Sequence, residues 1–191
     1  MTHFYNRLPS ARALATFIAT VFLLVAHHAI GHDLPTQSPD WTNPATGKPT
    51  HFTEPWSSQN MPSVDGRGFI MMSEKARLVV VFAYEQMEEV QADAVAYGKA
   101  FAQVKAQEMT IAPDWQAFEV GGFKAARSTL ASAKKANIRG EVVVAITGRT
   151  VWRLIVLGVD EAPKELYAGR EPFIQALIST IGEVREPDPK P

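Results

Sequence analysis

The pattern of apolar positions after residue 67 predicts six strands. Four of the segments pair up as two hairpins, one around Gly121 and Gly122 and one around Gly148, because glycine adopts the positive φ values of tight hairpin turns. The run over 78–84 is continuously apolar, which is typical of a strand that is covered on both faces of a sheet. The predicted strands are 69–72, 78–84, 115–120, 123–131, 141–147 and 151–157.

Two other stretches have the period of an amphipathic helix. From Gln86, apolar residues recur at spacings of three and four, at Met87, Val90, Ala94, Tyr97, Phe101 and Val104. Glu88 and Glu89 then fall in the first turn, where carboxylates interact favourably with the helix dipole. A second helix is predicted with Pro172 in its first turn. Its apolar stripe consists of Phe173, Ile174, Leu177, Ile178, Ile181 and Val184.

The order of these elements is strand, strand, helix, four strands, helix. Consecutive strands with short turns favour antiparallel pairing, and the two helices are the elements that can cover the sheet. The sequence therefore predicts an α+β domain over 67–185, with a mainly antiparallel sheet of about six strands flanked by two amphipathic helices.

The first residues have the pattern of a secretory signal. Arg7 and Arg12 precede an apolar, uncharged run over 13–26, which is shorter than the ~20 residues that a transmembrane helix needs. Ala29 and Gly31 are small enough to precede a cleavage site. We predict a signal peptide over 1–31, cut after Ala29 or Gly31, and a periplasmic or secreted protein. The alternative is an uncleaved membrane anchor.

The residues between the signal and the domain are rich in proline. Segment 32–66 contains six prolines and no sustained apolar period, so it is predicted to be an extended or loosely held arm. Trp41, Phe52 and Trp56 would be exposed in a free linker, so we expect the arm to pack on the domain from about Phe52. The last segment, 186–191, alternates proline with polar residues and is predicted to be a disordered tail.

The composition narrows the choice of partners. Of 191 residues, 46% are hydrophobic and 20% are charged, and 19 Lys and Arg balance 20 Asp and Glu. A formal charge of −1 disfavours a nucleic-acid partner, which requires a basic face. The absence of cysteine excludes disulfides, thiolate metal ligands and thiol nucleophiles. Contact with a membrane is expected only through the signal segment, if it stays uncleaved.

The element order resembles that of the Mog1/PsbP-like α+β proteins, a group that includes the bacterial DcrB-like proteins. The resemblance lies in the 69–72 and 78–84 strand pair, the Ala-, Tyr- and Phe-rich helix, the 118–126 hairpin, the long strands around Gly148, and 173–178. It covers roughly residues 52–184. It implies a small binding or accessory protein, and it supplies no catalytic motif that could be transferred to this chain.

Histidine provides one candidate for metal chemistry. Cleavage after Gly31 would make His32 the first residue, and its amine and imidazole, joined by His51, would suit copper. The alternative is two solvent-exposed histidines in the arm, with no site at all. The carboxylate pairs and serines do not match the arrangements of hydrolases. No catalytic residue and no bound cofactor is therefore predicted.

Trp152 and Arg153 are neighbours on the last predicted strand, so their side chains point to opposite faces of the sheet. If Trp152 is in the core, Arg153 either lies beneath a helix, where it needs an acidic partner, or reaches water at the sheet margin. The sequence leaves both possibilities open.

The function that these observations favour is an exported, non-catalytic binding or accessory protein, whose ligand is another protein or a small molecule. An alternative is an immunity or inhibitor protein that binds an exported effector by strand addition at a sheet edge. A copper-binding protein is a third possibility.

Overall fold

The computed structural model describes residues 38–60, 67–73, 78–90, 93–103, 109–132, 138–159 and 170–184. These residues form nine strands and two helices. The predicted signal peptide, the cleavage site, His32 and the tail over 186–191 lie outside the described residues.

All strand pairings are antiparallel, and the strands form one sheet in the order β1-β2-β3-β4-β9-β8-β7-β5. The short strand β6 also pairs with β7, alongside the part of β7 that β5 leaves uncovered. The strands are β1 Ser38–Thr42, β2 Pro49–Asn60, β3 Gly68–Ser73, β4 Leu78–Gln86, β5 Met109–Ile111, β6 Gln116–Val120, β7 Phe123–Ser132, β8 Ile138–Thr147 and β9 Thr150–Val159. The helices are α1 Ala94–Gln103 and α2 Arg170–Ser179.

Both predicted hairpins are confirmed. Gly121 and Gly122 have φ values of 53° and 84°, as a two-residue type I′ turn between β6 and β7 requires. Gly148, with a φ of 61°, lies in the turn that joins β8 to β9. These turns set the register, because they place Val120 opposite Phe123 and Thr147 opposite Thr150.

The sheet is covered on both faces, which explains the continuous apolar run in β4. One face packs against α1 through Ala94, Tyr97 and Phe101. The other face packs against α2, mainly through Phe173, Ile174, Leu177 and Ile178, together with residues of the β1–β2 hairpin. Burial of these side chains supplies the main stabilisation, at roughly 25 cal/mol per Å² of apolar surface.

The prediction of about six strands was too low, because the sheet has nine strands in the described part of the chain. The prediction missed β1, β2 and β5. Over 38–60 the extended or loosely held arm is a β-hairpin, and it packs on the domain at Phe52 and Trp56 as expected. Trp56 of that hairpin stacks on Phe173 of α2, with ring centroids 3.3 Å apart, and Phe52 lies 4.8 Å from the same ring. Contacts of this kind with a distant helix leave no period in the local sequence.

The first helix begins at Ala94, later than the predicted start at Gln86. The reason is a capping residue, since the Asp93 carboxylate accepts hydrogen bonds from the amides of Val95 and Ala96, at 2.9 and 3.1 Å. Glu88 therefore precedes the helix, and Val90, predicted in its apolar stripe, is 66% exposed. Neither described helix is long and apolar enough to cross a membrane.

The loop between β1 and β2 holds the C-terminal end of α2. The Asn43 side-chain amide donates to the Thr180 carbonyl at 3.3 Å, and the Thr46 hydroxyl donates to the same carbonyl at 2.8 Å. Lys48 donates to the Ile181 carbonyl at 2.6 Å. Thr180 and Ile181 directly follow α2, so these bonds fix the chain at the end of the helix to the β1–β2 loop.

Candidate binding groove

An open groove of about 410 Å³ lies between the N-terminal end of α1 and the β6–β7 hairpin. Its walls come from regular elements, so its shape is set by the fold and not by a long loop. The lining residues are Asp93, Ala94, Val95, Ala117, Phe118, Glu119, Lys124 and Ala125. The groove is not predicted from the sequence, because the apolar period places the start of the helix before Asp93.

The groove has a mixed surface with an excess of negative charge. Val95 and Ala117 provide apolar area on the α1 side of the sheet, while the charged residues in the wall of the groove are Asp93, Glu119 and Lys124. Glu119 and Lys124 are directly opposite each other on β6 and β7. With two carboxylates and one ammonium group, the groove favours a ligand with a basic group beside apolar area.

The strand β6 presents backbone hydrogen-bonding groups along this groove. In a two-residue hairpin, the residues that flank the turn bond each other, and bonded pairs alternate from there. Val120, Phe118 and Gln116 therefore bond β7. The N–H and C=O groups of Ala117 and Glu119 point away from β7, on the side where no described strand pairs with β6.

The two edges of the sheet differ. At the other edge, β1 contains Pro39 and an irregular register between Ser38 and Asp40, and both features hinder pairing with a further strand. The sequence of β6 is Gln-Ala-Phe-Glu-Val, which contains no proline, and its register with β7 is regular. Pairing with another chain is thus hindered at β1 and not within β6.

The position of α1 relative to β6 depends on the contact between Gly98 and Trp115. A Cβ atom at Gly98 would lie 2.5 Å from Cε3 of the Trp115 ring, so only glycine lets the ring approach the helix backbone this closely. Trp115 directly precedes β6. This contact connects the helix wall of the groove to its strand wall.

Beneath α1, a buried charge is paired. Arg153 on β9 is 7% exposed, and its Nη2 atom lies 3.4 Å from Oε2 of Glu85 on β4. Its guanidinium carbon lies 5.7 Å from the centre of the Phe101 ring in α1. Trp152 is in the core of the opposite face. The structure thus selects the first of the two possibilities for Arg153, a charge beneath a helix with an acidic partner.

Tyr97 completes this cluster. Burial raises the pKa of Tyr97 above its usual value of 10.0, Arg153 opposes the increase, and Glu85 adds to it. The tyrosine hydroxyl lies in this charged environment without a well-aligned hydrogen bond to a described residue. Through the contact of Arg153 with Phe101, the cluster helps to hold α1 on the sheet. This helix forms one wall of the groove.

Comparisons with known proteins provide a fold. No protein-family model matches the chain, and no curated protein matches it. Among solved structures, it is similar to the solution structure of cyanobacterial PsbP (CyanoP) from Synechocystis sp. PCC 6803, with a TM-score of 0.55. The chain has a PsbP-like fold. The alignment covers 79% of this chain and 97% of the cyanobacterial one at 8% identity, so the similarity shows the fold alone.

Of the two predicted copper ligands, His51 lies in the described part of this PsbP-like structure and His32 lies outside it. His51 is exposed on β2, and its Nδ1 atom lies 2.6 Å from Oδ1 of Asp40 on β1. The register of the first hairpin sets these two residues opposite each other, a proximity that sequence spacing did not reveal. Within the described residues, no group of three or more His, Cys, Asp or Glu side chains is placed to hold a metal ion. The copper site at His32 and His51 stays a prediction.

A second charged cluster lies on the α2 face of the PsbP-like sheet. Nη1 of Arg127 lies 3.7 Å from Oε1 of Glu141 and 3.7 Å from Oε1 of Glu171, at the start of α2. The guanidinium also lies 5.6 Å from the centre of the Phe118 ring. Burial raises the pKa of Glu141 above its usual 4.5, Arg127 lowers it and Glu171 raises it further.

This cluster predicts a pH-dependent effect of Glu141→Gln on stability. Because the pKa of Glu141 is higher in the folded than in the unfolded chain, its contribution to stability is fully present below the unfolded value. It is lost as the pH rises through the folded value. The variant avoids this loss, so the difference between its free energy of unfolding and that of the unmodified protein should increase as the pH rises from acidic to neutral.

Urea unfolding of both proteins between about pH 4 and pH 8 measures this difference. Glu171→Gln removes a carboxylate that raises the pKa of Glu141. Adding Glu141→Gln to this variant should therefore change the free energy of unfolding less than it does in the unmodified protein. The prediction would be contradicted if the stability of Glu141→Gln, measured relative to the unmodified protein, were lowest at neutral pH.

Proposed function

We propose that the chain is an exported, non-catalytic binding or accessory protein that acts in the periplasm or outside the cell. The observation that carries the proposal is the open groove between α1 and the β6–β7 hairpin, which has both apolar and charged walls. A concave surface of this kind on rigid elements is the usual setting of a binding site. The signal pattern over 1–31 supports the export part of the proposal.

The similarity to the PsbP structure supports the assignment of the chain to the wider Mog1/PsbP-like group, with its DcrB-like members. That group consists mostly of small binding or accessory proteins. Shared fold does not establish shared function, so the proposal depends on the groove and only secondarily on the fold.

Affinity capture tests the proposal. The mature protein is immobilised and exposed to an extract of the cell envelope of its own source, and retained proteins and small molecules are identified by mass spectrometry. The change Ala117→Trp fills the groove, whereas Thr42→Trp places the same side chain on the exposed opposite edge of the sheet. We expect the unmodified protein and Thr42→Trp to retain the same molecule and Ala117→Trp to lose it. Equal retention by all three, or none, would contradict the proposal.

Mass spectrometry of the mature N-terminus tests export separately. Cleavage after Ala29 or Gly31 leaves Ile30 or His32 as the first residue. An intact chain that begins at Met1 and is found free in the cytosol would contradict the proposed location. A cut after Gly31 would also leave the copper hypothesis open, and dialysis against copper followed by metal analysis would then test it.

The alternative of an immunity or inhibitor protein has one observation in its favour. The outer side of β6, unpaired within the described part of the chain, offers a place for strand addition to an exported effector. Capture distinguishes the two functions, because an inhibitor retains a toxin-like protein and abolishes its activity in an assay of the purified effector.

A further inference from the structure

The groove and the edge of β6 form one continuous surface. Ala117 and Glu119, whose backbone N–H and C=O groups point away from β7, are also two of the groove-lining residues. A ligand that bonds these backbone groups therefore lies within reach of the groove. An extended peptide meets this requirement, because alternate residues of a strand offer outward N–H and C=O groups at a matching spacing.

The dimensions fit a short strand. The five residues of β6 span about 17 Å at the rise of an extended chain, enough for a peptide of similar length. Side chains on the α1-facing side of such a peptide would contact Val95 and Ala117, the apolar part of the groove. The carboxylates of Asp93 and Glu119 outnumber the one lysine, which favours a basic side chain in the peptide and disfavours an acidic one.

We infer that β6 is a docking edge for an extended, basic and apolar segment of a partner protein, which adds to the sheet as a further strand. The inference rests on the proposed function and specifies the class of partner. The comparison of the two sheet edges supports it, since Pro39 and the irregular register hinder pairing at β1, while β6 has neither feature.

Amide hydrogen exchange followed by NMR tests the inference with a defined probe. The probe is a short synthetic peptide of alternating threonine and valine with one central lysine, and its matched control has glutamate in place of the lysine. We expect saturating lysine peptide to slow the exchange of the Ala117 and Glu119 amides by at least about tenfold. The Phe118 amide, which bonds β7, should change much less. The glutamate peptide should bind about tenfold more weakly.

A variant pair separates strand addition from groove binding without backbone pairing. Ala117→Pro removes an outward N–H group while leaving the bonds to β7 in place, and Ala117→Val adds a similar volume while keeping the N–H group. We expect Ala117→Pro to weaken peptide binding at least about tenfold and Ala117→Val to bind like the unmodified protein. Unchanged amide spectra for β8 and β9 establish that the proline variant is folded.

Three results would overturn the inference. One is unchanged exchange at Ala117 and Glu119 at millimolar peptide, and another is equal binding by Ala117→Pro. The third is protection of the same amides that grows with protein concentration alone, which would assign the edge to a second copy of the chain. If envelope capture succeeds and Ala117→Pro retains the same molecule, the docking edge fails while the proposed function stands. If the unmodified protein captures nothing, the proposed function fails.

Discussion

Replacement of Trp152 by alanine is expected to lower the free energy of unfolding by about 3–5 kcal/mol. The side chain is 1% exposed on β9, and its ring centre lies 5.1 Å from that of Phe82 and 5.0 Å from that of Tyr84. Alanine would leave a large cavity between the sheet and the elements on its α2 face. Whole domains have stabilities of only about 5–15 kcal/mol, so this loss removes much of the total.

The indole also has a polar role. Its Nε1–H group donates to the Gly182 carbonyl at 3.0 Å and lies 3.2 Å from the Thr147 hydroxyl, which itself donates to Gly182 at 3.0 Å. Trp152 therefore holds the segment after α2 against the β8–β9 turn. Trp152→Phe is the control that keeps most of the ring and removes the N–H group, at an expected cost of about 1–2 kcal/mol.

Urea unfolding followed by circular dichroism measures both losses without depending on tryptophan fluorescence. The alanine variant should unfold at a much lower urea concentration than the phenylalanine variant. If the two variants lost the same stability, the hydrogen bonds to Gly182 and Thr147 would explain the whole loss. Packing of the Trp152 ring would then contribute nothing measurable. Stability equal to that of the unmodified protein would contradict both contributions.

The parts of the fold that sequence analysis predicted are those that depend on local signals. The β8–β9 hairpin has long β-branched arms on either side of Gly148, and Gly121 and Gly122 mark the other turn. Four residues of the predicted stripe, Phe173, Ile174, Leu177 and Ile178, lie in α2 and in the core, with Pro172 in the first turn as predicted. The predicted helix was too long, because Ile181 and Val184 follow its end at Ser179. Each of these signals lies within a few residues of the structure that it predicts.

The missed parts depend on residues that are distant in sequence. Asn43 and Thr46 are buried because they bond Thr180, and Trp56 is buried because Phe173 stacks on it. The aromatic residues of the arm predict that it packs on the domain from about Phe52, and Phe52 and Trp56 do so. The sequence near β1 and β2 does not indicate which residues they contact, and the prolines there hide the strands. The β5 strand has three residues, too few for a period to be visible.

The groove was missed for a related reason. Its strand wall, the β6–β7 hairpin, was predicted, but its helix wall depends on the position at which α1 begins. The apolar period predicts a helix that starts at Gln86 and therefore contains Asp93, although aspartate is a preferred N-cap residue. The capping preference of Asp93 indicates a start at Ala94, which is where α1 begins. The contact between Gly98 and Trp115 that connects the two walls is not visible in the sequence at all.

The pairing of Arg153 with Glu85 leads to the second large prediction. Glu85→Leu leaves the guanidinium of Arg153, whose side chain is 8% exposed, beneath α1 without its counter-charge. Removal of one partner of a buried ion pair is costly because the remaining charge stays desolvated. We expect the free energy of unfolding to fall by about 3 kcal/mol. Arg153→Met should cost less, because the Glu85 side chain is 25% exposed and its carboxylate can reach water.

The double variant Glu85→Leu with Arg153→Met decides whether the pair itself stabilises the fold or only satisfies a buried charge. Its two apolar side chains remove both charges and pack against Phe101, so its stability should return to within about 1 kcal/mol of the unmodified protein. Urea unfolding of all four proteins gives the coupling energy between the two positions. Losses that simply add in the double variant would contradict the pairing, since they would show that each side chain contributes independently of the other. Recovery in the double variant would mean that Arg153 and Glu85 can both be replaced by apolar residues while α1, the helix wall of the groove, stays packed on the sheet.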